Sequence, residues 1–306
     1  MTTTIGVDIG GTKALAVRCV DGVVVADHRV DSAGPALAVL VDALRRVSGP
    51  EVEAVGAGLA GLVDYAAGTF VWGPHLSGTR LEVREALERE FGLPVTVDND
   101  ANTTAWAELQ VGAARGFRNV LVVTVGTGIG GAVVIDGAIY RGAGFAGEWG
   151  HSTFDSDGPG CDCGRIGCWE TAASGPALGR LAGEHLSAHP HGSLARRIGA
   201  GPPDPMKVAA AALDGDGEAM GLLVRVGRDL GRGLAGLIAV FDPDLVVVGG
   251  GFGSLGDPLL DPARRAAAKT LFGGSHRSPP PIVQAELGGA AGAVGAALMA
   301  AHLLRR

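Results

Sequence analysis

Val7-Asp8-Ile9-Gly10-Gly11-Thr12-Lys13 joins a strand-like apolar run to two glycines, a hydroxyl and a cation. Glycine has no Cβ, so the backbone N–H groups of such a turn can face a phosphate, and Thr12 and Lys13 add further donors. Asp8, at the end of the strand, can hold Mg²⁺ through water, because Mg²⁺ usually keeps several waters in proteins. Taken alone, the stretch is equally compatible with an ordinary β-hairpin closed by a Gly-Gly turn.

The same arrangement recurs twice farther along the chain. Gly126-Thr127-Gly128 follows the apolar run Val120–Val125, and Gly249-Gly250-Gly251 follows Val246–Val248. None of the three turns has Walker A spacing, and the second runs into a strand instead of the helix that a dinucleotide fingerprint requires. Three glycine turns after β-branched strands predict a nucleotide site, with the phosphates on the first two and the base or ribose on the third.

The spacing of these turns predicts two related α/β halves, since two strand–turn–strand openings lie about 120 residues apart. We expect a small N-terminal α/β domain over 1–117, closed by a C-terminal helix over 292–306. A larger α/β domain over 118–291 would hold the nucleotide site and a cysteine-rich loop.

Composition and charge exclude several classes of function. The chain has 306 residues, a net charge of −7 and no long basic run, which argues against a nucleic-acid partner. Its N-terminus does not resemble a signal peptide. The apolar stretch Gly288–Leu304 is rich in glycine and alanine and includes His302, so it predicts a packed helix and no membrane span. We therefore expect a cytoplasmic protein that acts on a small molecule.

Polar residues cluster where a predicted strand hands over to a helix, at Asp98-Asn99-Asp100-Ala101-Asn102. One of them can be the N-cap of a helix that begins near Thr103, but a cap does not need four polar groups. Phosphoryl transfer to an alcohol needs a carboxylate that accepts the hydroxyl proton. Asp100 suits this role, and Asn99 can orient a neighbouring hydroxyl.

A histidine and three cysteines form a candidate metal site, with His151 followed by Cys161, Cys163 and Cys168. Three thiolates and an imidazole make a closed tetrahedral Zn²⁺ site, which is structural. The alternative is a set of reduced thiols. A second nitrogen of a zinc-bound His151 can donate to a sugar hydroxyl. Glu148 and Glu170 flank the cluster and can accept hydrogen bonds from further hydroxyls, or be solvated surface charges.

These motifs resemble those of the ROK family of bacterial sugar kinases and regulators, from Val7 to about Gly251. The matching stretches are the two phosphate turns 8–13 and 126–131, the catalytic segment 99–102, and the sugar and zinc signatures 148–151 and 161–170. The sugar and zinc signatures are the most specific. Within the family, the motifs are most similar to those of actinobacterial-type glucokinases.

The resemblance implies a two-domain, actin-like ATPase fold of the hexokinase type, with the site in an interdomain cleft. It also implies that ATP and Mg²⁺ are used to phosphorylate the 6-hydroxyl of a hexose, with glucose as the first expectation, and that a structural Zn²⁺ is bound. Asp100 is then the base. Asn99, Asp100, Glu148, His151 and Glu170 hold the sugar, and His151 binds zinc with the three cysteines. Members are often homodimers or homotetramers.

Two positions depart from the family's usual pattern. Ala60-Gly61 stands where the family often has Pro-Gly, and Pro74-His75-Leu76 stands where it often has Pro-Asn-Leu. A histidine in place of asparagine changes size and possible charge close to the expected pocket. An amino sugar such as kanosamine, or fructose, allose or N-acetylmannosamine, therefore stays open as the substrate.

Two other classes of protein compete with a kinase. Sugar-sensing regulators of the family carry an N-terminal helix-turn-helix, whereas the first predicted strand here begins at about Thr4. A non-enzymatic actin-like scaffold that binds ATP would have no use for the sugar and zinc signatures. We therefore expect a kinase.

Overall fold

The computed structural model describes residues 1–199 and 201–305, which form a mixed α/β structure. The strands are β1 (Thr3–Ile9), β2 (Lys13–Val20), β3 (Val23–Asp31), β4 (Ala54–Leu59), β5 (Leu62–Asp64), β6 (Thr69–Trp72), β7 (Val95–Asn99), β8 (Val120–Val125), β9 (Ile129–Ile135), β10 (Ala138–Tyr140), β11 (Leu245–Gly249) and β12 (Ile282–Gln284). The α-helices are α1 (Ala36–Val47), α2 (Val83–Phe91), α3 (Asp100–Val111), α4 (Glu170–Ala173), α5 (Gly175–Ala188), α6 (Ser193–Ile198), α7 (Pro205–Leu213), α8 (Gly217–Phe241), α9 (Gly250–Gly253), α10 (Asp257–Thr270) and α11 (Ala291–Leu303).

The chain divides into two compact units. The first comprises Met1–Arg118, Ala132–Gly147 and Glu286–Arg306, and the second comprises Asn119–Gly131 and Glu148–Ala285. The first unit thus includes the β9–β10 region, which the predicted boundaries assign to the larger domain. Arg141, just after β10, forms an ion pair with Asp98 of the first unit. The predicted domains 1–117 with 292–306, and 118–291, stay a prediction, and residue 306 lies outside the described residues.

The main sheet of the first unit has the strand order β3-β2-β1-β4-β7. β1, β2 and β3 pair antiparallel, while β4 runs parallel to β1 and β7 runs parallel to β4. Ile9 pairs with Leu59, and Leu59 pairs with Asn99, so the carboxyl ends of β1, β4 and β7 share one edge. This register brings the first glycine turn and the Asn99-Asp100 segment to the same edge of the sheet.

Helix α11 lies against one face of this sheet at very short distance. A Cβ added to Gly6 would lie 2.2 Å from the carbonyl oxygen of Ala293, and one added to Gly56 would lie 2.0 Å from that of Ala296. Glycine is required at both positions because any other side chain would push the helix off the sheet. Ile5 and Val7 alternate with Gly6, so they point to the opposite face, where α1 and α2 complete an apolar core.

The second unit is built on the parallel strands β8, β11 and β12, in that order. Its long helix α8 is capped by Asp216, which accepts from the N–H of Ala219. One face of α8 is buried, and there a Cβ on Gly231 would lie 2.1 Å from the carbonyl oxygen of Ala263 in α10. Among residues 1–199 and 201–305, no helix is both long and apolar enough to cross a bilayer.

Candidate active site

The first glycine turn is a tight hairpin between β1 and β2. The N–H of Gly10 donates to the carbonyl oxygen of Lys13 at 3.1 Å. Gly11, Thr12 and Lys13 are exposed. The hairpin geometry that the sequence left open is therefore present, and it leaves the exposed end of the turn accessible.

Asp8 lies at the start of this turn with an unsatisfied acceptor. Its Oδ1 is buried and accepts no hydrogen bond from the described residues. Burial raises the pKa of Asp8 to about 8, and the negative charge of Asp100 adds to this. A buried carboxylate oxygen without a donor fits a hard cation such as Mg²⁺, held directly or through water.

Asn99, not Asp100, caps the helix that follows β7. The side-chain oxygen of Asn99 accepts from the N–H groups of Ala101 and Asn102 at 2.8 and 3.2 Å. Its amide nitrogen donates to the carbonyl oxygen of Gly61 at 3.0 Å, which leaves one amide hydrogen for a ligand. The helix therefore begins at Asp100, three residues before the predicted start at Thr103, because the cap lies earlier than expected.

Asp100 does not cap the helix, and it lies half-buried at the first position of α3. Burial raises the pKa of its carboxyl group, while the backbone N–H of Ala101 and the charge of His75 act in the opposite direction. A raised pKa makes a carboxylate a stronger base. The side chain of His75 packs on the first glycine turn, where a Cβ on Gly11 would lie 2.8 Å from the Cβ of His75.

A buried ion pair, which no motif in the sequence predicted, anchors the residue before Asn99 and Asp100. Asp98 is 2% exposed, and its Oδ2 accepts from Nε and Nη2 of Arg141 at 2.9 and 2.6 Å. Its Oδ1 accepts from the N–H of Asn99 and from the side chain of Asn102, both at 2.8 Å. The guanidinium of Arg141 lies over the ring of Tyr65 at 3.8 Å. A buried aspartate carboxylate needs a positively charged partner, but the spacing of residues along the sequence does not identify Arg141 as that partner.

Arg141→Ala is expected to destabilise the protein by about 3 kcal/mol, because it leaves the Asp98 charge buried and unpaired. Urea unfolding would measure the loss. The matched control is Arg118→Ala, since Arg118 and Asp136 form an ion pair in which both side chains are more than 70% exposed. That substitution is expected to cost less than about 1 kcal/mol. Equal losses in the two variants would contradict a structural role for the buried pair.

The second glycine turn is bonded to Glu170. The Oε2 atom of Glu170 accepts from the N–H of Ile129 at 3.3 Å, and a Cβ on Gly128 would lie 2.4 Å from the same atom. The N–H of Gly175 donates to the carbonyl oxygen of Gly126 at 2.9 Å. Thr127 is exposed at the tip of the turn. Glu170 therefore adjoins both this turn and the cysteine segment.

The third glycine turn closes β11 and opens the short helix α9. Gly250 has a φ of +83°, and a Cβ there would lie 2.5 Å from the carbonyl oxygen of Val125. Its glycine is required by backbone packing. A Cβ on Gly251 would meet nothing within 4 Å, and one on Gly249 would meet only the Cβ of Ala285 at 3.1 Å. Gly251 is the residue of the three that leaves its backbone open to a ligand.

The four predicted metal ligands converge in the second unit. One potential donor atom from each of His151, Cys161, Cys163 and Cys168 lies within 4.8 Å of the others. Sγ of Cys161 is 3.7 Å from Nδ1 of His151, and Sγ of Cys163 is 3.6 Å from Sγ of Cys168. Sulfurs bound tetrahedrally to Zn²⁺ at about 2.3 Å lie about 3.8 Å apart, so the donor set fits this ion.

Glu170 also borders the metal cluster, and His151 presents one ring nitrogen to it. Oε1 of Glu170 lies 2.9 Å from Sγ of Cys161 and 3.4 Å from Nδ1 of His151. Glu148 precedes a short 3₁₀ helix, Trp149–His151, and its carbonyl oxygen accepts from the N–H of His151. With Nδ1 directed at the cluster, Nε2 of His151 is the nitrogen left for a second partner.

Known proteins of one family match nearly the whole chain. A model of the ROK family matches residues 4–302. The glucokinase of Streptomyces coelicolor is 40% identical over 98% of both chains. The N-acetylmannosamine kinase of Citrobacter koseri is 33% identical over 97% of this chain and 98% of its own.

A solved structure extends the likeness to the fold. The crystal structure of a ROK family glucokinase from Streptomyces griseus, in complex with glucose and AMPPNP, is similar with a TM-score of 0.91 at 37% identity. The match covers 98% of this chain and 99% of that one. It confirms the predicted α/β, actin-like ATPase fold of the hexokinase type.

Proposed function

Because the chain belongs to the ROK family, we propose that it is an ATP-dependent sugar kinase. It transfers the terminal phosphoryl group of ATP to the 6-hydroxyl of a hexose, and glucose is the first candidate. The observation that carries this proposal is Asp100. Its carboxylate is not used as the helix cap, is half-buried, and has a pKa raised by burial.

In the proposed reaction, Asp100 accepts the proton of the 6-hydroxyl as its oxygen attacks the terminal phosphorus of ATP. The bond from that phosphorus to the bridging oxygen breaks, and ADP leaves. The remaining amide hydrogen of Asn99 orients a neighbouring hydroxyl. Bound Mg²⁺ supplies charge neutralisation on the phosphates, and Asp8 is the residue that would hold it. The backbone of Gly10–Lys13 and Gly126–Gly128 donates to phosphate oxygens.

The sugar is held by the second unit through Glu148, His151 and Glu170. Zinc in the His151–Cys161–Cys163–Cys168 site would hold the imidazole in one orientation, with Nε2 directed to a sugar hydroxyl. The carboxylates of Glu148 and Glu170 accept from further hydroxyls. Gly249–Gly251 lies against the base or ribose. The homodimer or homotetramer implied by the family resemblance stays a prediction, as does a cytoplasmic location.

His75 is the observation that favours a second substrate. It packs on Gly11 and affects the charge balance at Asp100, so it adjoins both the phosphate turn and the proposed base. An amino sugar such as kanosamine, or fructose, allose or N-acetylmannosamine, is the alternative acceptor. The choice among these sugars depends on pocket contacts that differ by one or two groups.

A panel of hexoses and amino sugars with Mg-ATP tests this proposal through kcat/KM, which measures discrimination directly. Glucose is expected to give the highest value, with product phosphorylated at O6 by ³¹P NMR. A higher value for an amino sugar would assign the alternative. ATP hydrolysis that is indifferent to every sugar would contradict the kinase. The Asp100→Asn protein, purified in parallel, controls for contaminating kinases.

A further inference from the structure

Four arginines line a cavity of about 590 Å³ in the second unit, beside the cysteine segment. Arg225, Arg228 and Arg232 stand three and four residues apart on α8, so they share one face of the helix. Arg180 comes from α5. The opposite face of α8 is apolar and buried, so this arginine face is the one that α8 leaves to solvent.

Two of these arginines have their charges satisfied by the protein and two do not. Arg180 pairs with Glu184, and Arg232 pairs with Asp229. Among residues 1–199 and 201–305, neither Arg225 nor Arg228 makes a hydrogen bond or an ion pair, and both are exposed. Each unpaired guanidinium group carries several N–H donors in one plane, in an arrangement that matches two oxygens of a phosphate.

The cavity also carries acceptors for hydroxyl groups. Asp155 and Asp229 line it, and each has one carboxylate oxygen engaged: Asp155 accepts from the N–H of Asp157, and Asp229 accepts from Arg232. With Arg180 and Arg232 paired, Arg225 and Arg228 against the carboxylate of Asp155 leave an excess of one positive charge, in a chain whose net charge is −7. The donors and acceptors together fit a ligand with one strongly anionic end and several hydroxyls.

We propose that this cavity binds a phosphate monoester that also carries hydroxyl groups, at a site separate from the proposed sugar and ATP sites. Arg225 and Arg228 hold the phosphate, and the free oxygens of Asp155 and Asp229 accept from the hydroxyls. The cavity volume of about 590 Å³ is many times the volume of one water molecule in the liquid, about 30 Å³. It therefore has room for more than a phosphate ion.

The cavity is linked to the proposed sugar site through Trp169. The indole N–H of Trp169 donates to the carbonyl oxygen of Asp229 at 3.1 Å, and a Cβ on Gly233 would lie 2.0 Å from the indole ring. Trp169 stands between the metal ligand Cys168 and Glu170. This coupling rests on the proposed kinase function. A ligand that shifts α8 changes the affinity of the protein for the sugar, and the sugar changes the affinity for that ligand by the same factor.

Isothermal titration calorimetry with glycerol 3-phosphate, and in a second arm with inorganic phosphate, tests the site on the full-length protein. Arg225→Ala combined with Arg228→Ala is expected to weaken glycerol 3-phosphate binding by about tenfold or more. The matched control is Arg265→Ala with Lys269→Ala, which removes two exposed charges from α10 of the same unit, away from the cavity. This control is expected to bind like the wild type.

Equal affinity in all three proteins would overturn the proposal. Inorganic phosphate binding as tightly as glycerol 3-phosphate would overturn the role of the aspartates. Loss of self-association in the Arg225→Ala, Arg228→Ala protein, with phosphate binding unchanged, would instead assign the arginines to a contact between copies of this chain. Calorimetry does not depend on turnover, so a failure of this binding site can be distinguished from a failure of the kinase proposal. If both hold, saturating glycerol 3-phosphate changes KM for the sugar in the wild type and the control only.

Discussion

Asp100→Asn is expected to lower kcat by about 10²- to 10⁴-fold, because asparagine cannot accept the hydroxyl proton during phosphoryl transfer. KM for the sugar should change little, since an amide of the same size keeps a hydrogen-bonding group at that position. The fold should be retained because Asn99 supplies the cap of α3. Steady-state kinetics with Mg-ATP, together with sugar binding by calorimetry, would measure the two effects separately.

Asp27→Asn is the matched control for this substitution. Asp27 lies in β3 of the same unit, is exposed, and is removed from the sheet edge that carries Asp100. It should leave kcat within a factor of two or so, as surface substitutions generally do. Wild-type turnover in a well-folded Asp100→Asn protein would rule out Asp100 as the base.

Cys163→Ser is expected to abolish stoichiometric zinc binding and to lower Tm by about 10 °C or more, because the free energy of structural zinc binding is also folding free energy. KM for the sugar should rise by about tenfold or more. Glu170 and His151 would lose their common anchor with the cysteines, and both are proposed to hold hydroxyls. Zinc content by atomic emission, thermal unfolding and kinetics on one preparation would test the three effects together.

Cys19→Ala provides the comparison for the loss of a thiol. Cys19 is buried in β2 of the first unit, where burial raises its pKa to about 11. This variant should keep one zinc per chain and cost about 1 kcal/mol from a small cavity. If Cys163→Ser retained zinc and wild-type stability, or if Cys19→Ala lost the metal, the assignment of ligands would be wrong.

The chemistry of the candidate site was predictable where its residues are close together in the chain. The turn at Gly10–Lys13 follows its strand directly, and Cys161, Cys163 and Cys168 fall within eight positions. Such segments bring donors together with little help from the rest of the fold, because only a few backbone dihedrals separate them. The structure brings His151 and the three cysteines together, as the proposed metal site requires.

Capping was harder to predict, although it is also local. The sequence is compatible with a cap by an Asp or Asn of the Asp98–Asn102 run, for a helix that starts at Thr103. The structure uses Asn99 and begins the helix at Asp100. Several side chains in that run can cap, and the choice depends on where β7 ends. That end is set by pairing with β4, which aligns Asn99 with Leu59.

The order of residues along the chain already supplies the candidate groups: a carboxylate after a strand, three glycine turns and a set of donors for a structural metal. The ion pair of Asp98 with Arg141, the contact of Glu170 with the second glycine turn and the meeting of four arginines in one cavity arise from the folded chain. These contacts join residues about 40 or more positions apart, or helices from different segments. They depend on strand order, register and helix packing, which no local pattern of residues specifies.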